Sequence, residues 1–209
     1  MIRRHALALG MAAALTPMLP ALALDRALTP DEQQLIGQIN AHNSAIRTMV
    51  GRFLQIDTSG GRTEGTFFLE RPNKVAFRYA PPSREEIVSQ GRGFYVLDRR
   101  EETYYAYPQD TIPLRQFLGN DINLLNGNVI DVTVSDGYLS LTMIDETVAG
   151  TVQVSLIFDT QTKDLAQWTL VEPSGAELTF SLYDVEKDVQ IPPAFFSIPA
   201  TYSARDPAR

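Results

Sequence analysis

The chain has 209 residues, 44% of them hydrophobic, with 18 basic against 25 acidic side chains and a formal charge of −7. An acidic balance without clustered Lys and Arg argues against nucleic-acid binding, which needs phosphate neutralisation, and against electrostatic adsorption to anionic lipid. Cysteine is absent, so the fold must be held by its core alone.

Residues 1–23 read as an export signal. Arg3 and Arg4 form a basic n-region, Ala6 to Leu19 an apolar stretch, and Ala21-Leu22-Ala23 an A-x-A cleavage site. No motif around the arginine pair supports twin-arginine export, so Sec export is preferred. Thr16, Pro17 and Pro20 interrupt the stretch, which makes it a poor membrane span. Cleavage after Ala23 is expected to leave one soluble periplasmic domain, Leu24 to Arg209. Loss of the two arginines takes its formal charge from −7 to −9.

Thr29-Pro30-Asp31-Glu32 has a capping residue, Pro at the first helical position and Glu at the capping-box spacing. Leu35, Ile36, Ile39, His42, Ile46 and Met49 then recur on one helical face, predicting a helix from Pro30 to about Thr48. Strands are predicted over 53–58, 63–70, 74–79, 86–90, 94–98 and 103–107. Two short helical pieces follow, over 113–118 and 121–125. Strands resume over 129–135, 138–145, 151–158, 165–172 and 177–184. Asp136-Gly137 is the hairpin signal between the first two of these. Ile191 to Phe196 reads as extended, and Ser203 to Arg209 as a loose tail.

About eleven short strands at spacings of about 8–12 residues predict a mainly β fold: one unclosed antiparallel barrel, or half-barrel, covered by short α-helices. Phe67 and Leu69 share one face of their strand, and Val75, Phe77 and Tyr79 share one face of the next. This puts a greasy aromatic surface beside Arg71, which on the residues alone reads as a solvated arginine opening a Pro turn.

Catalytic residue types are scarce. Beyond the signal the chain has one histidine, His42, and no cysteine. A zinc site or a Ser-His-Asp device lacks partners, and no G-x-S-x-G elbow occurs. His42 on an apolar helix face reads as a packing residue. The acid pairs Glu85-Glu86, Glu101-Glu102 and Asp145-Glu146 leave a carboxylate-dependent hydrolase as a remote alternative. Each pair falls at a strand end or turn, where solvated acids are expected. No enzyme activity, cofactor or metal is expected. The ten Phe, eight Tyr and one Trp fit a packed β-core as well as a cavity-forming one.

The sequence resembles the LolA-type periplasmic lipoprotein carriers across most of Leu24 to Arg209. The resemblance is carried by Phe53-x-Gln55, Gly65-x-Phe67-x-Leu69-x-Arg71-Pro72, Phe77-Arg78-Tyr79 and Glu86-Ile87-Val88-Ser89-Gln90-Gly91. Pro113-Leu114 with Phe117-Leu118, Trp168, and Ile191-Pro192-Pro193-Ala194-Phe195-Phe196 complete the order. Arg78 beside the wall strand and Ser89-Gln90-Gly91 in place of an acidic turn depart from the family pattern.

The resemblance implies a helical lid over a hydrophobic cavity that binds acyl chains. It also implies shuttling of triacylated lipoproteins from an inner-membrane ABC-type release complex towards an outer-membrane acceptor, by a protein acting as a monomer. By the same resemblance Arg71 would lock the lid, and Val75 and Phe77 would line the cavity. Further candidates for the lining are Phe53, Phe67, Leu69, Tyr79 and Val88 on strands. Leu35, Ile39, Phe117, Leu118 and Leu124 are the candidates from the covering segments. A carrier or sensor of another lipid (phospholipid, glycolipid or hopanoid) stays open as the alternative.

Overall fold

The computed structural model describes residues 24–147 and 150–205. The expected signal peptide, residues 1–23, lies outside the described residues, as do residues 206–209. Helix α1 spans Pro30–Ala45 and carries the capping box in full: the Thr29 hydroxyl accepts from the Glu32 amide at 3.2 Å, and the Glu32 carboxylate accepts from the Thr29 amide at 2.8 Å. The helix stops earlier than its apolar periodicity suggests. Ile46 is already extended, and the β-branched Thr48 opens β1, where it pairs with Glu70. Sheet pairing outweighs helical spacing at that point. Among the described residues, no helix is long and apolar enough to cross a membrane.

Six strands follow α1: β1 (Thr48–Asp57), β2 (Arg62–Glu70), β3 (Lys74–Tyr79), β4 (Glu85–Gln90), β5 (Gly93–Asp98) and β6 (Thr103–Pro108). A long connection carries three 3-10 turns, Gln109–Thr111, Arg115–Leu118 and Leu124–Asn126. The short helices expected there are thus single turns, bounded by Pro113, Gly119 and Gly127. Next come β7 (Asn128–Ser135), β8 (Tyr138–Thr147), β9 (Gly150–Asp159), β10 (Leu165–Val171) and β11 (Glu177–Lys187). Asp136 (φ 51°) and Gly137 (φ 82°) make the tight turn between β7 and β8; a left-handed pair is what a two-residue hairpin needs.

Among the described residues these strands and a twelfth, β12 (Ser203–Arg205), join one unclosed sheet in the order β12-β6-β5-β4-β3-β2-β1-β11-β10-β9-β8-β7. Two antiparallel meanders meet where β1 pairs with β11, with Phe53 opposite Leu182. The twelfth strand corrects the expectation of a loose tail, because it runs parallel to β6 with Ser203 opposite Thr103. What brings it there is hydrophobic. Ile191 and Phe196 bury against Ala76, Val88 and Leu97 on the outer face, and Phe195 packs on Phe68 with ring centroids 4.4 Å apart. The inner face carries the main core, from Phe53 and Phe67 across to Leu139, Leu141 and Phe158, under Ile36 and Ile39 of α1.

Candidate functional site

Strand pairing generates the site directly. Met49 of β1 lies opposite Leu69 of β2, Leu69 opposite Val75 of β3, and Gly51 opposite Phe67, which faces Phe77 and then Ile87 of β4. Directly opposed residues project to the same side of a sheet, so these side chains form one apolar wall. A Cβ at Gly51 would meet the Phe67 ring at 2.7 Å, so the absent side chain lets that ring lie flat against the strand. From the other meander, Trp168 of β10 stacks on its partner Phe180 of β11, centroids 4.8 Å apart and planes 10° from parallel. Phe77 meets Trp168 edge-on at 6.1 Å.

These walls line a partly open cavity of about 250 Å³. The segment 112–118 lies over it and contributes Ile112, Pro113, Leu114, Phe117 and Leu118; apart from Asn43 and Arg71, every lining residue is apolar. Among the described residues no Asp or Glu lines it. The acid pairs lie elsewhere: Glu86 is paired with Arg78 at 3.0 Å and Asp145 with Arg115 at 2.7 Å.

Arg71 is the polar centre of the site. It is only 7% exposed, so it is not the solvated turn arginine that the residues alone suggest. Its Nε donates to the Phe117 carbonyl at 2.8 Å, and one terminal nitrogen donates to the carbonyls of Asn43 (2.9 Å) and Ile46 (2.7 Å). Two of these acceptors lie at the C-terminal end of α1, where free carbonyls and the negative end of the helix dipole favour a cation. The third belongs to the segment over the cavity. One guanidinium thus joins the helix end to the cover. Burial pulls its pKa down to about 10, with the nearby Arg47 cation adding to the same shift, and it stays protonated at neutral pH. Among the described residues no carboxylate pairs with it. The neighbouring turn adds backbone ties: the Arg71 amide donates to the Arg47 carbonyl (2.9 Å), and the Asn73 amide to that of Leu118 (2.7 Å).

Residues 44–199 match the family model described as outer membrane lipoprotein carrier protein LolA. The chain belongs to the LolA family. No curated protein matches the sequence. An uncharacterized conserved protein from Thermus thermophilus is similar in structure at 7% identity, over 83% of this chain and 99% of that one, with a TM-score of 0.50. A DUF1329 family protein from Desulfovibrio piger is similar at 9% identity over 78% and 95% of the two chains, also with a TM-score of 0.50. A LolA superfamily protein from Nitrosomonas europaea aligns at 11% identity over 78% and 97%, with a TM-score of 0.42. The first two likenesses speak to the fold.

In this LolA-family chain, Phe67, Leu69, Val75, Phe77, Phe117 and Leu118 of the expected lining stand around the cavity with Arg71. Phe53 and Tyr79 lie behind the wall: Phe53 is fully buried and edge-on to Phe77 at 5.2 Å, while the Tyr79 hydroxyl donates to Gln55 at 2.6 Å. Ile39 and Leu124 are core residues beneath the helix, and Leu35 packs half-buried at its edge.

Val88 stands on the opposite face of the sheet, among the residues covered by Phe196. Its neighbour Ile87, opposite Phe77, faces the cavity instead, because side chains alternate along a strand and pairing to β3 fixes the phase. The same alternation sends Arg78 outward, where its guanidinium sits 4.5 Å from the centre of the Phe195 ring. The residues missed are chiefly Trp168, Phe180 and Leu182. Their alternation was visible in the sequence, but the pairing of β1 with β11 that brings them round was not.

Proposed function

We propose that residues 24–209 form one periplasmic carrier that binds the acyl chains of lipoproteins in this cavity. It would pass them from an inner-membrane release complex towards an outer-membrane acceptor. The observation that carries this reading is Arg71, a buried cation for which the described residues offer no acidic partner, bridging α1 and the cover through carbonyls. Bonds of this kind are strong enough to hold a cover shut and few enough to be broken together. An acyl methylene left in water costs about 0.8 kcal/mol, so a multi-chain lipid needs a dry pocket to cross an aqueous compartment. Without a cover that pocket would be an exposed apolar patch. Loading displaces segment 112–118 and breaks the Arg71 bonds; discharge is favourable because they re-form.

The test is displacement of a bound apolar fluorophore from purified protein. Acylated lipoprotein is expected to displace the dye with saturable stoichiometry, and the same polypeptide without acyl chains is not. Equal displacement by both, or none by either, would overturn the carrier reading. One observation favours the second reading, a carrier of another lipid: about 250 Å³ lies below the roughly 300–1,000 Å³ of pockets that hold a drug-sized ligand, small for three long chains. Mass spectrometry of lipid co-purified from the periplasm separates the two.

A further inference from the structure

The apolar wall does not stop at the cavity. The cross-strand file Gly51–Phe67–Phe77–Ile87 continues through Val96 of β5 to Tyr105 of β6. The parallel file through Leu69 and Val75 continues past Ser89 to Phe94 and Tyr107. Phe94 and Ile87 still line the cavity, whereas Val96, Tyr105 and Tyr107 lie beyond it. These three are only half-buried and, among the described residues, belong to no core cluster. On the reverse of the same strands, Tyr95, Leu97 and Tyr104 are packed beneath the segment carrying Ile191 and Phe196. The file Glu85–Asp98–Thr103 borders the apolar strip with polar side chains. Two strand spacings separate Ile87 from Tyr105, which makes the strip about 10 Å long.

We propose that Val96, Tyr105 and Tyr107 form an apolar shelf, continuous with the cavity, that receives the distal methylenes of a long acyl chain. The inference rests on the carrier reading and adds to it a second, outer part of the chain-binding site. Three features select an acyl chain as the occupant. The shelf begins at side chains the cavity already uses. With its cover closed the cavity, at about 250 Å³, is small beside pockets that hold a drug-sized ligand. In the opposite direction the concavity is filled by fully buried Leu141, Leu156 and Phe158, so the remainder of a chain has its apolar path along β5 and β6. The tyrosine hydroxyls at the outer end reach water while their rings stay against the chain.

The test is a chain-length series. A short peptide N-acylated with octanoyl, lauroyl or palmitoyl is titrated against wild-type protein and against the doubly substituted Val96→Thr/Tyr105→Thr variant, which keeps β-forming residues in both strands. Ala106→Thr on the reverse face is the control. In wild type and control, affinity is expected to rise about ten-fold from lauroyl to palmitoyl, below the gain for full burial because one side of the shelf faces water. In the double variant octanoyl binds as in wild type and the palmitoyl gain falls below about two-fold.

A wild-type plateau at lauroyl, which needs no variant to fold, would overturn the shelf, as would an unchanged palmitoyl gain in the double variant. Competition by the unacylated peptide, or a concentration-dependent dimer lost on substitution, would make the strip a protein interface and overturn it equally. Octanoyl binding with no length dependence sinks the shelf and spares the cavity. Failure of every chain to bind sinks both.

Discussion

The two halves of the concave face are built from equally apolar files and end in opposite states. Across β7 to β11 the file Val132–Leu141–Leu156–Trp168–Phe180 is buried throughout, at 9% exposure or less. Across β2 to β6 the file Phe67–Phe77–Ile87–Val96–Tyr105 starts buried and is only half-buried from Phe77 onward. The strands do not explain this; the covers do. α1 is a capped, regular helix that sets Ile36 and Ile39 fully buried in the core. Segment 112–118 over the cavity has one 3-10 turn, and Leu114 just before it holds a left-handed conformation (φ 62°) uncommon for its residue type. A regular cover fills the space beneath it, and an irregular one pinned at Arg71 leaves room.

That comparison breaks most sharply on truncation. Leu139→Ala in the filled half should cost about 2–5 kcal/mol of unfolding free energy while leaving acyl-peptide affinity unchanged. Ile87→Ala beside the cavity should cost about 1 kcal/mol or less and weaken acyl-peptide binding. Chemical denaturation and a binding titration on each variant check the pair. Equal stability losses would mean the halves are packed alike.

Arg71→Leu comes next. It removes three charge-assisted bonds but also a desolvated cation, for a net loss of about 2 kcal/mol in closure, or roughly 30-fold in the closing equilibrium. Loading should persist and discharge to an acceptor should slow; ordinary transfer by this variant removes Arg71 from the mechanism. A smaller effect is expected at the other side of α1. There His42 Nε2 meets Asp164 Oδ1 at 2.7 Å, and the Asn43 amide donates to the Lys163 carbonyl at 2.8 Å. His42, read as a packing residue, is therefore half-exposed and tied to the β9–β10 turn. With both partners part-exposed, Asp164→Asn should cost about 1 kcal/mol or less, seen as faster hydrogen exchange in α1.

The smallest effect is acid dependence at the start of α1. Arg26, then the Thr29 amide, hold the Glu32 carboxyl down at about 2 against an ordinary 4.5. A depressed acid contributes stability that is complete above its unfolded value and lost as pH falls through its folded one. Protection of the first helical turn should therefore decline between pH values of about 4.5 and 2, and Glu32→Gln should abolish that decline.

Much of this was legible because local rules set it. The Thr29–Glu32 cap, the Asp136-Gly137 turn and the alternation in β2 and β3 each follow from a few adjacent residues. What was not legible depended on pairing across the sheet. The choice between Ile87 and Val88 is a matter of register, and the second aromatic wall at Trp168 and Phe180 depends on β1 closing onto β11. The fate of the tail hung on Phe195 and Phe196 finding the outer face. Arg71 was the mixed case, since its chain position suggested solvent and only the family resemblance suggested burial.

The most direct measurement uses Trp168, the single tryptophan of the chain, which stands in the cavity wall. Titration with an acyl peptide brominated along its chain should quench that fluorescence saturably, and the unbrominated peptide should compete the quenching away. Undiminished fluorescence at concentrations where the peptide binds would place the acyl chain elsewhere and contradict the account.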